Sequence, residues 1–339
     1  MKVWTSLADV PGRQRSVVTI GNFDGMHFGH KRVIAACVDR AEKQGVDSVA
    51  VTFDPHPKSV HSPGSPTPLI MSLATRLDAM ATTGLSAALI VHYDASVYTL
   101  EPEEFVAEYL VDRLGALEVV VGEDFRFGRG NAGNIQTLQA LGHRYGFTVT
   151  MVADIEDGSG RRWSSSWVRE LLAEGRVDEA ASVLGHPYRL VGTVEHGQKR
   201  GRKLGFPTAN LQAGRNVLAP ADGVYAGWLV RDVPGQTDAQ EFLPAAISVG
   251  SNPQFEGTDR TVEAHVLGRD DLDLYGQEVA VVFTKRLRPM MKFDSVEGLK
   301  QQMDEDLRAT AASLGSRVAE RVNPENVTAG LKSRVPHIT

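Results

Sequence analysis

Residues 21–30 read Gly-Asn-Phe-Asp-Gly-Met-His-Phe-Gly-His. They follow a β-branched run, Ser16–Ile20, and precede a helix-period pattern with apolar residues at Val33, Ile34, Cys37, Val38 and Ala41. A strand that passes through a glycine-bearing turn into a helix gathers backbone N–H groups and the positive end of the helix dipole at one point. Gly21, Phe23 and Gly29 shape that turn, and Gly29 lets the backbone approach a ligand closely. His27 and His30 fall at the same place. Imidazoles beside a helix N-terminus suit a nucleotide triphosphate, where negative charge builds up during nucleotidyl transfer. The same spacing also fits a plain strand–loop–helix joint with two surface histidines.

A second segment, residues 161–169, reads Arg-Arg-Trp-Ser-Ser-Ser-Trp-Val-Arg and runs into Glu170, Leu171 and Leu172. A hydroxyl at a helix start caps its first N–H groups, which accounts for one serine. Ser164 and Ser165 together, with Arg169 about a turn further on, exceed what capping needs and suit a phosphate. Trp163 and Trp167 find no mechanism in the sequence.

Together the two segments resemble the nucleotidylyltransferase superfamily, marked by H-x-G-H early and a Ser-Ser-Thr-x-x-Arg-like segment late. The wider wording, with Phe53-Asp54-Pro55-His56-Pro57 and Val121-Gly122-Glu123-Asp124-Phe125-Arg126-Phe127-Gly128, is similar to the FMN adenylyltransferase branch. Ser166 stands where that family usually has threonine and keeps the hydroxyl. The resemblance implies His27 and His30 as catalytic residues. It implies Gly21, Phe23, Gly29, Asp124, Ser164, Ser165 and Arg169 as ATP- or phosphate-binding. Flavin contact is expected at His56 and Phe127 and in the loop 61–68.

The chain has 339 residues, 42% hydrophobic and 23% charged, which suits two soluble domains rather than one core. A net charge of −6 argues against a general nucleic-acid binder. No apolar run approaches the roughly 20 residues of a membrane span, and the N-terminus lacks a signal-peptide core. The single cysteine, Cys37, cannot form an internal disulfide and reads as a small core residue. A cytoplasmic protein with no membrane partner is the expectation, with oligomeric state open.

The first half alternates strand and helix signals: strands at Ser16–Ile20, 48–53, 87–91, 118–121 and 147–152, with helices at 30–43, 72–83, 102–114 and 131–145. That alternation predicts a Rossmann-like parallel sheet with helices on both faces, whose ligands sit beyond the carboxyl ends of the strands. His27, His30, His56 and Asp124 all follow strands and so share one rim. Gly128-Arg129-Gly130-Asn131-Ala132-Gly133 matches the dinucleotide fingerprint G-x-G-x-x-G. Residues 123–127 separate it from its strand, however, where the fingerprint needs a tight turn, so NAD binding is not expected.

After Gly185 the texture changes. Residues 186–194 are extended, and short strand-like runs follow at 224–230, 245–249, 262–267 and 279–283, separated by turn residues. This half is expected to be an antiparallel barrel or sandwich closed by one helix. Asp294 and Glu297 suggest that helix's capping box, and Leu299, Met303, Leu307, Leu314 and Val318 its apolar stripe. The expected division is 1–185 and 186–339.

Residues 197–210 read Gly-Gln-Lys-Arg-Gly-Arg-Lys-Leu-Gly-Phe-Pro-Thr-Ala-Asn, with three glycines and four cations ahead of Phe206. Such a loop can wrap a polyphosphate or be a solvated hairpin. Thr208 and Asn210 offer oxygen ligands for Mg²⁺. The segment resembles the riboflavin kinase module, whose mark is G-F-P-T-A-N. The match continues through Asp222-Gly223-Val224-Tyr225, Ser248-Val249-Gly250-Ser251-Asn252-Pro253 and Thr261-Val262-Glu263-Ala264-His265. The resemblance implies phosphate binding by Gly201, Arg202, Gly205 and Asn210, metal binding by Thr208 and Asn210, and Glu263 as catalytic base. A carboxylate on a strand at the barrel mouth can accept the proton of an attacking hydroxyl.

Over nearly its whole length the chain is thus similar to the prokaryotic bifunctional enzymes that join these modules. The implied function is phosphorylation of riboflavin to FMN by ATP, then adenylylation of FMN to FAD with release of pyrophosphate. Mg²⁺ bound with ATP is the implied cofactor, and ATP, riboflavin, FMN and FAD the small-molecule partners. One rival is a nucleotidylyltransferase for another phosphate, which leaves the second loop and Glu263 without use. A flavin- or nucleotide-binding regulator would be expected to lack one of His27, His30, Arg169 or Glu263, and all four are present.

Overall fold

The computed structural model describes residues 1–316 except 13, 155, 159, 197–205, 215, 234–238, 252–259 and 270–271. Gly201, Arg202 and Gly205, with the rest of the cationic loop, lie outside the described residues, as do Asn252, Pro253 and Val318. The chain forms two compact units that divide between Ser165 and Ser166.

The first unit is a six-stranded sheet in the order β1-β4-β3-β2-β5-β6. The strands are β1 (Lys2–Trp4), β2 (Ser16–Ile20), β3 (Asp47–Asp54), β4 (Ala87–His92), β5 (Ala116–Gly122) and β6 (Thr148–Val152). Every neighbouring pair is parallel. One strand more is present than the sequence suggested. In β1 only Trp4 is buried, too short a signal to read, and its pairing with β4 defines it. All five residues of β2 are buried, as a central strand covered on both faces requires.

On one face Ile34, Cys37 and Ala41 of α1 (Phe28–Gln44) join Met80 of α3 (Leu73–Ala81). The other face is covered by Phe105, Val106, Leu110, Leu138 and Leu141. After the short α4 (Ala95–Tyr98), the helix expected at 102–114 is a short α5 (Pro102–Phe105) continued by a π-helical segment (Val106–Arg113). The helix expected from residue 131 is α6 (Ile135–Tyr145), because the Asn134 side chain accepts from Thr137 N–H at 2.9 Å and caps it there. Part of the loop expected at 61–68 is also ordered differently, since α2 (Pro57–His61) ends on His61.

Cys37 donates its Sγ–H to the Val17 carbonyl at 3.3 Å, and burial pushes its thiol up to about 12. A thiol held protonated and enclosed is inert. Native protein at pH 8 is expected not to react with a thiol-specific disulfide reagent, and to react with one equivalent once unfolded. Rapid native labelling would contradict this burial.

The second unit is a closed antiparallel barrel in the order β10-β11-β8-β7-β12-β9. Its strands are β7 (Tyr188–Glu195), β8 (Ala209–Ala213), β9 (Gly223–Asp232), β10 (Gln240–Ser251), β11 (Arg260–Val266) and β12 (Glu278–Arg288). Of the barrel and the sandwich that the strand texture allowed, the expected barrel is the one present. β8, bridging β7 and β11, closes the ring. The Asp222-Gly223-Val224-Tyr225 motif serves the barrel itself: Tyr225 is wholly buried, and its hydroxyl donates to the Ala221 carbonyl.

Ahead of the barrel run α7 (Ser165–Glu174) and α8 (Val177–Leu184). Ala221 N–H donates to the Leu172 carbonyl at 2.9 Å, Arg286 reaches the Glu174 carbonyl at 3.2 Å, and α8 packs on β7 and β12. The closing helix, α9 (Val296–Leu314), is capped by Ser295, whose hydroxyl accepts from Gly298 N–H at 3.0 Å. The expected Asp294–Glu297 box is therefore replaced by a single cap one residue on, since Gly298 has no side chain to reciprocate. α9 packs on β9, β10 and β12, yet its fully buried residues are Asp306, Thr310 and Ala311. Leu299, Met303, Leu307 and Leu314 are half-buried. A bidentate pair anchors the helix, with Arg288 Nε and Nη2 at 2.8 and 2.7 Å from the Asp306 carboxylate.

Candidate active sites

In the first unit β2 has β3 on one side and β5 on the other, so the strand order reverses there and the carboxyl ends form one rim. His27, His56 and Asp124 follow β2, β3 and β5 on that rim. His27 is the N-cap of α1: its Nδ1 accepts from His30 N–H at 3.4 Å, which leaves the proton of the neutral ring on Nε2. The His27 and His30 rings stack at 3.7 Å between centroids, and Phe23 meets His30 edge-on at 5.4 Å. A Cβ on Gly29 would lie 3.0 Å from the His27 ring, so glycine there makes room for the folded-back imidazole. Gly21 likewise lies under the Phe23 ring, where a Cβ would sit 3.1 Å from it.

The serine segment meets this loop. Ser165 Oγ donates to the Asp24 carbonyl at 2.7 Å, and the Trp163 ring lies 4.9 Å from that of Phe28. Trp163 thereby gains the contact the sequence could not supply. Ser164 directly precedes α7, and Arg169 lies one turn along α7, beyond the division between units. Asp124 is paired with Arg162 at 2.7 Å, and Arg162 also reaches Asp154 at 2.9 Å. Burial raises the Asp154 pKa, opposed by Arg162 and reinforced by the neighbouring acids Asp124, Glu123 and Glu156.

Of the two residues expected at the flavin, His56 is buried as the cap of α2, its Nδ1 accepting from Lys58 N–H at 3.2 Å. Phe127 is buried against Phe125, 5.3 Å between centroids, and faces Gly133. More open aromatic surface lies nearby: His61 hydrogen-bonds the Tyr93 hydroxyl at 3.1 Å and meets Tyr98 at 5.1 Å. The G-x-G-x-x-G run has a packing explanation. A Cβ on Gly128 would strike Pro102 at 2.8 Å, and one on Gly133 would strike the Phe127 ring at 2.7 Å.

In the barrel, Thr208 and Asn210 stand at the start of β8 beside Glu263 of β11. Asn210 is the register partner of Glu263, and Thr208 Oγ1 donates to Glu263 Oε2 at 3.2 Å. Three oxygen-bearing side chains, from two segments remote in sequence, thus converge on one strand pair. His265, given no role by the sequence, donates its Nδ1–H to the Pro207 carbonyl at 2.7 Å and so fixes the backbone just ahead of Thr208. Burial lowers its pKa, which favours the neutral ring. Its signal was positional: two residues after Glu263, on the same strand face.

A histidine-bearing helix start at the rim of a parallel sheet and a hydroxyl–amide–carboxylate cluster on a closed barrel fit a transferase of phosphorus-containing groups with two modules. Family profiles assign them: the FAD synthetase profile matches residues 10–166 and the riboflavin kinase profile residues 184–314. The chain is 37% identical to the bifunctional riboflavin kinase/FMN adenylyltransferase of Pseudomonas fluorescens, covering 89% of this chain and 94% of that one. It is 34% identical to the enzyme of that name from Escherichia coli K12, covering 89% and 93%. A crystal structure titled a macrolide-efflux protein from Streptococcus pneumoniae superposes with a TM-score of 0.80 at 31% identity, covering 91% and 97%. Among the described residues no helix is long and apolar enough to cross a membrane. The chain belongs to the bifunctional riboflavin kinase/FMN adenylyltransferase family, and its function is FAD biosynthesis with ATP through those two activities.

Proposed function

We propose that the sites found here carry the two steps as follows. In the barrel, the Glu263 carboxylate takes the proton of the terminal ribityl hydroxyl as its oxygen attacks the γ-phosphorus of ATP. The bond to the bridging oxygen breaks, giving FMN and ADP. Thr208 and Asn210, with hard oxygen donors, fit a divalent cation, and Mg²⁺ held by them and by ATP oxygens would neutralise phosphate charge. Gly201, Arg202 and Gly205 are the proposed phosphate contacts of the same site. The observation that supports this step is the Thr208–Glu263 contact at 3.2 Å, which brings together the two side chains proposed as metal-side ligand and base.

In the first unit an FMN phosphate oxygen attacks the α-phosphorus of a second ATP, and pyrophosphate leaves. His27 and His30, stacked at the start of α1, stabilise the charge on the triphosphate in the transition state. Ser164, Ser165 and Arg169 hold the departing pyrophosphate. Gly21, Phe23 and Gly29 shape the loop around it. Asp124, a carboxylate, suits the ribose hydroxyls rather than the phosphates. For the flavin, His56 and Phe127 remain the proposed contacts, with the His61–Tyr93–Tyr98 rim beside them. A cytoplasmic setting fits the lone buried thiol. Purified protein given riboflavin, ATP and Mg²⁺ is expected to yield FAD. FMN as sole product would mean a silent first unit, and unchanged riboflavin would favour the regulator.

A fragment experiment tests the proposed division of labour. The kinase residues all lie beyond residue 185, but α7 and α8 pack on the barrel. A fragment beginning at Ser166 is expected to fold and make FMN but no FAD. One beginning at His186 would expose the faces of β7 and β12 that α8 covers and is expected to be less stable. Thermal melts and a flavin product assay compare them. Equal stability would show that α7 and α8 contribute nothing to the barrel.

A further inference from the structure

Two buried charges, one in the histidine loop and one on α3, take no part in the chemistry above. The loop contains two non-glycine residues with positive φ, Phe23 at 49° and Met26 at 42°. Such backbone persists only where surrounding structure holds it. Asp24 lies between them, 1% exposed, and its carboxylate accepts from Ile70 N–H at 3.0 and 3.1 Å and from Met71 N–H at 3.1 Å. Residues 70–71 lead straight into Ser72, the cap of α3. From α3 the contact is returned. Arg76, 4% exposed, donates Nη1 to the Asn22 carbonyl at 2.7 Å and Nη2 to the Phe53 carbonyl at 3.2 Å, with the Asp54 carboxylate at 3.9 Å. The loop thus grips the approach to α3, and α3 grips the loop together with the end of β3.

Enclosing a carboxylate and a guanidinium is costly, and apolar residues of similar volume often stabilise a fold as well or better. Burial pulls the Arg76 pKa down, while Asp24 and Asp54 act in the opposite sense. The gain lies in direction: carbonyls at the carboxyl ends of β2 and β3 are tied to one rigid helix. We propose that Asp24 and Arg76 are positioning residues for adenylyl transfer, a reciprocal clamp that holds the strained loop so that His27 and His30 meet the triphosphate. Neither touches the reacting atoms.

The test uses the full chain and three variants: R76M, which keeps volume without the hydrogen bonds, R76K, which keeps one donor group, and D24N, which keeps one acceptor. For each, kcat and KM for ATP are measured for FAD formation from FMN. Riboflavin phosphorylation serves as internal control, and circular dichroism gives the folded fraction. Displacing reactive groups by about an ångström costs up to about 100-fold, so folded R76M is expected to lose about 10- to 100-fold in kcat. R76K should fall between R76M and the parent, and the kinase rate should stay unchanged. Folded R76M and D24N with the parent kcat would overturn the clamp, as would three variants that merely fail to fold, which would assign the pair to stability alone. The inference rests on the adenylyl-transfer reading of His27 and His30. A parent protein unable to make FAD from FMN would defeat that reading, whereas full activity in R76M defeats only the clamp.

Discussion

Replacing His30 by alanine is expected to lower FAD formation from FMN by about 10²–10³-fold, the usual loss when one preorganised donor to developing charge is removed. The His30 ring lies 3.7 Å from that of His27 over the first turn of α1, where, on the proposed mechanism, helix dipole, N–H groups and imidazoles would meet the triphosphate together. The side chain is half-buried, so its removal should leave the sheet intact. Riboflavin phosphorylation by the same preparation, proposed to draw on the barrel, is expected to continue nearly unchanged and reports that the chain is folded. Parent-level FAD synthesis by the variant would remove His30 from the mechanism. His30→Gln, which restores a neutral donor, should recover part of the rate.

Glu263→Gln should have the opposite pattern, with a loss of about 10²–10⁴-fold in riboflavin phosphorylation, the range for a missing general base. Glutamine preserves shape and can still accept from Thr208 Oγ1, now 3.2 Å from the carboxylate, so the barrel and the proposed metal-side residues should survive. FMN supplied directly should still become FAD. Kinase turnover within tenfold of the parent, together with failing adenylylation, would mean that the two sites are exchanged. The paired variants therefore test each site against the other within one chain.

Much of the architecture is written in short-range patterns. The run from Ser16 to Ala41 shows strand, turn and helix because backbone propensity and apolar spacing act over a few residues, and the structure has β2, the loop and α1 in those places. The alternation in the first half and the succession of short strands in the second likewise give a parallel α/β sheet and an antiparallel barrel. Family resemblance carried the function further than the residues alone, since a glutamate on a strand is ordinarily just solvated.

What the sequence could not show is what depends on groups far apart in the chain. Closure of the barrel rests on β8, five residues whose strand character comes from pairing with β7 and β11. Glu118 reads as one polar residue in an apolar strand. It is buried because Arg40 pairs with it at 2.7 Å and Gln44 and Thr150 hydrogen-bond to it. On α9 an apolar stripe was legible, yet the innermost carboxylate is Asp306, tolerated there by the fork of Arg288. Asp24 and Arg76 lie 52 positions apart and carry no local signature, and the Asp24 of G-N-F-D-G looks like an ordinary turn residue. Sequence spacing determined most of the strand, turn and helix segments, because those preferences are local, whereas β1 and β8 are strands through their partners. Which charges could be buried, which glycines make room for a neighbouring ring and which loop conformation is held were decided by tertiary contacts, because only the assembled fold supplies the partners that offset desolvation and strain.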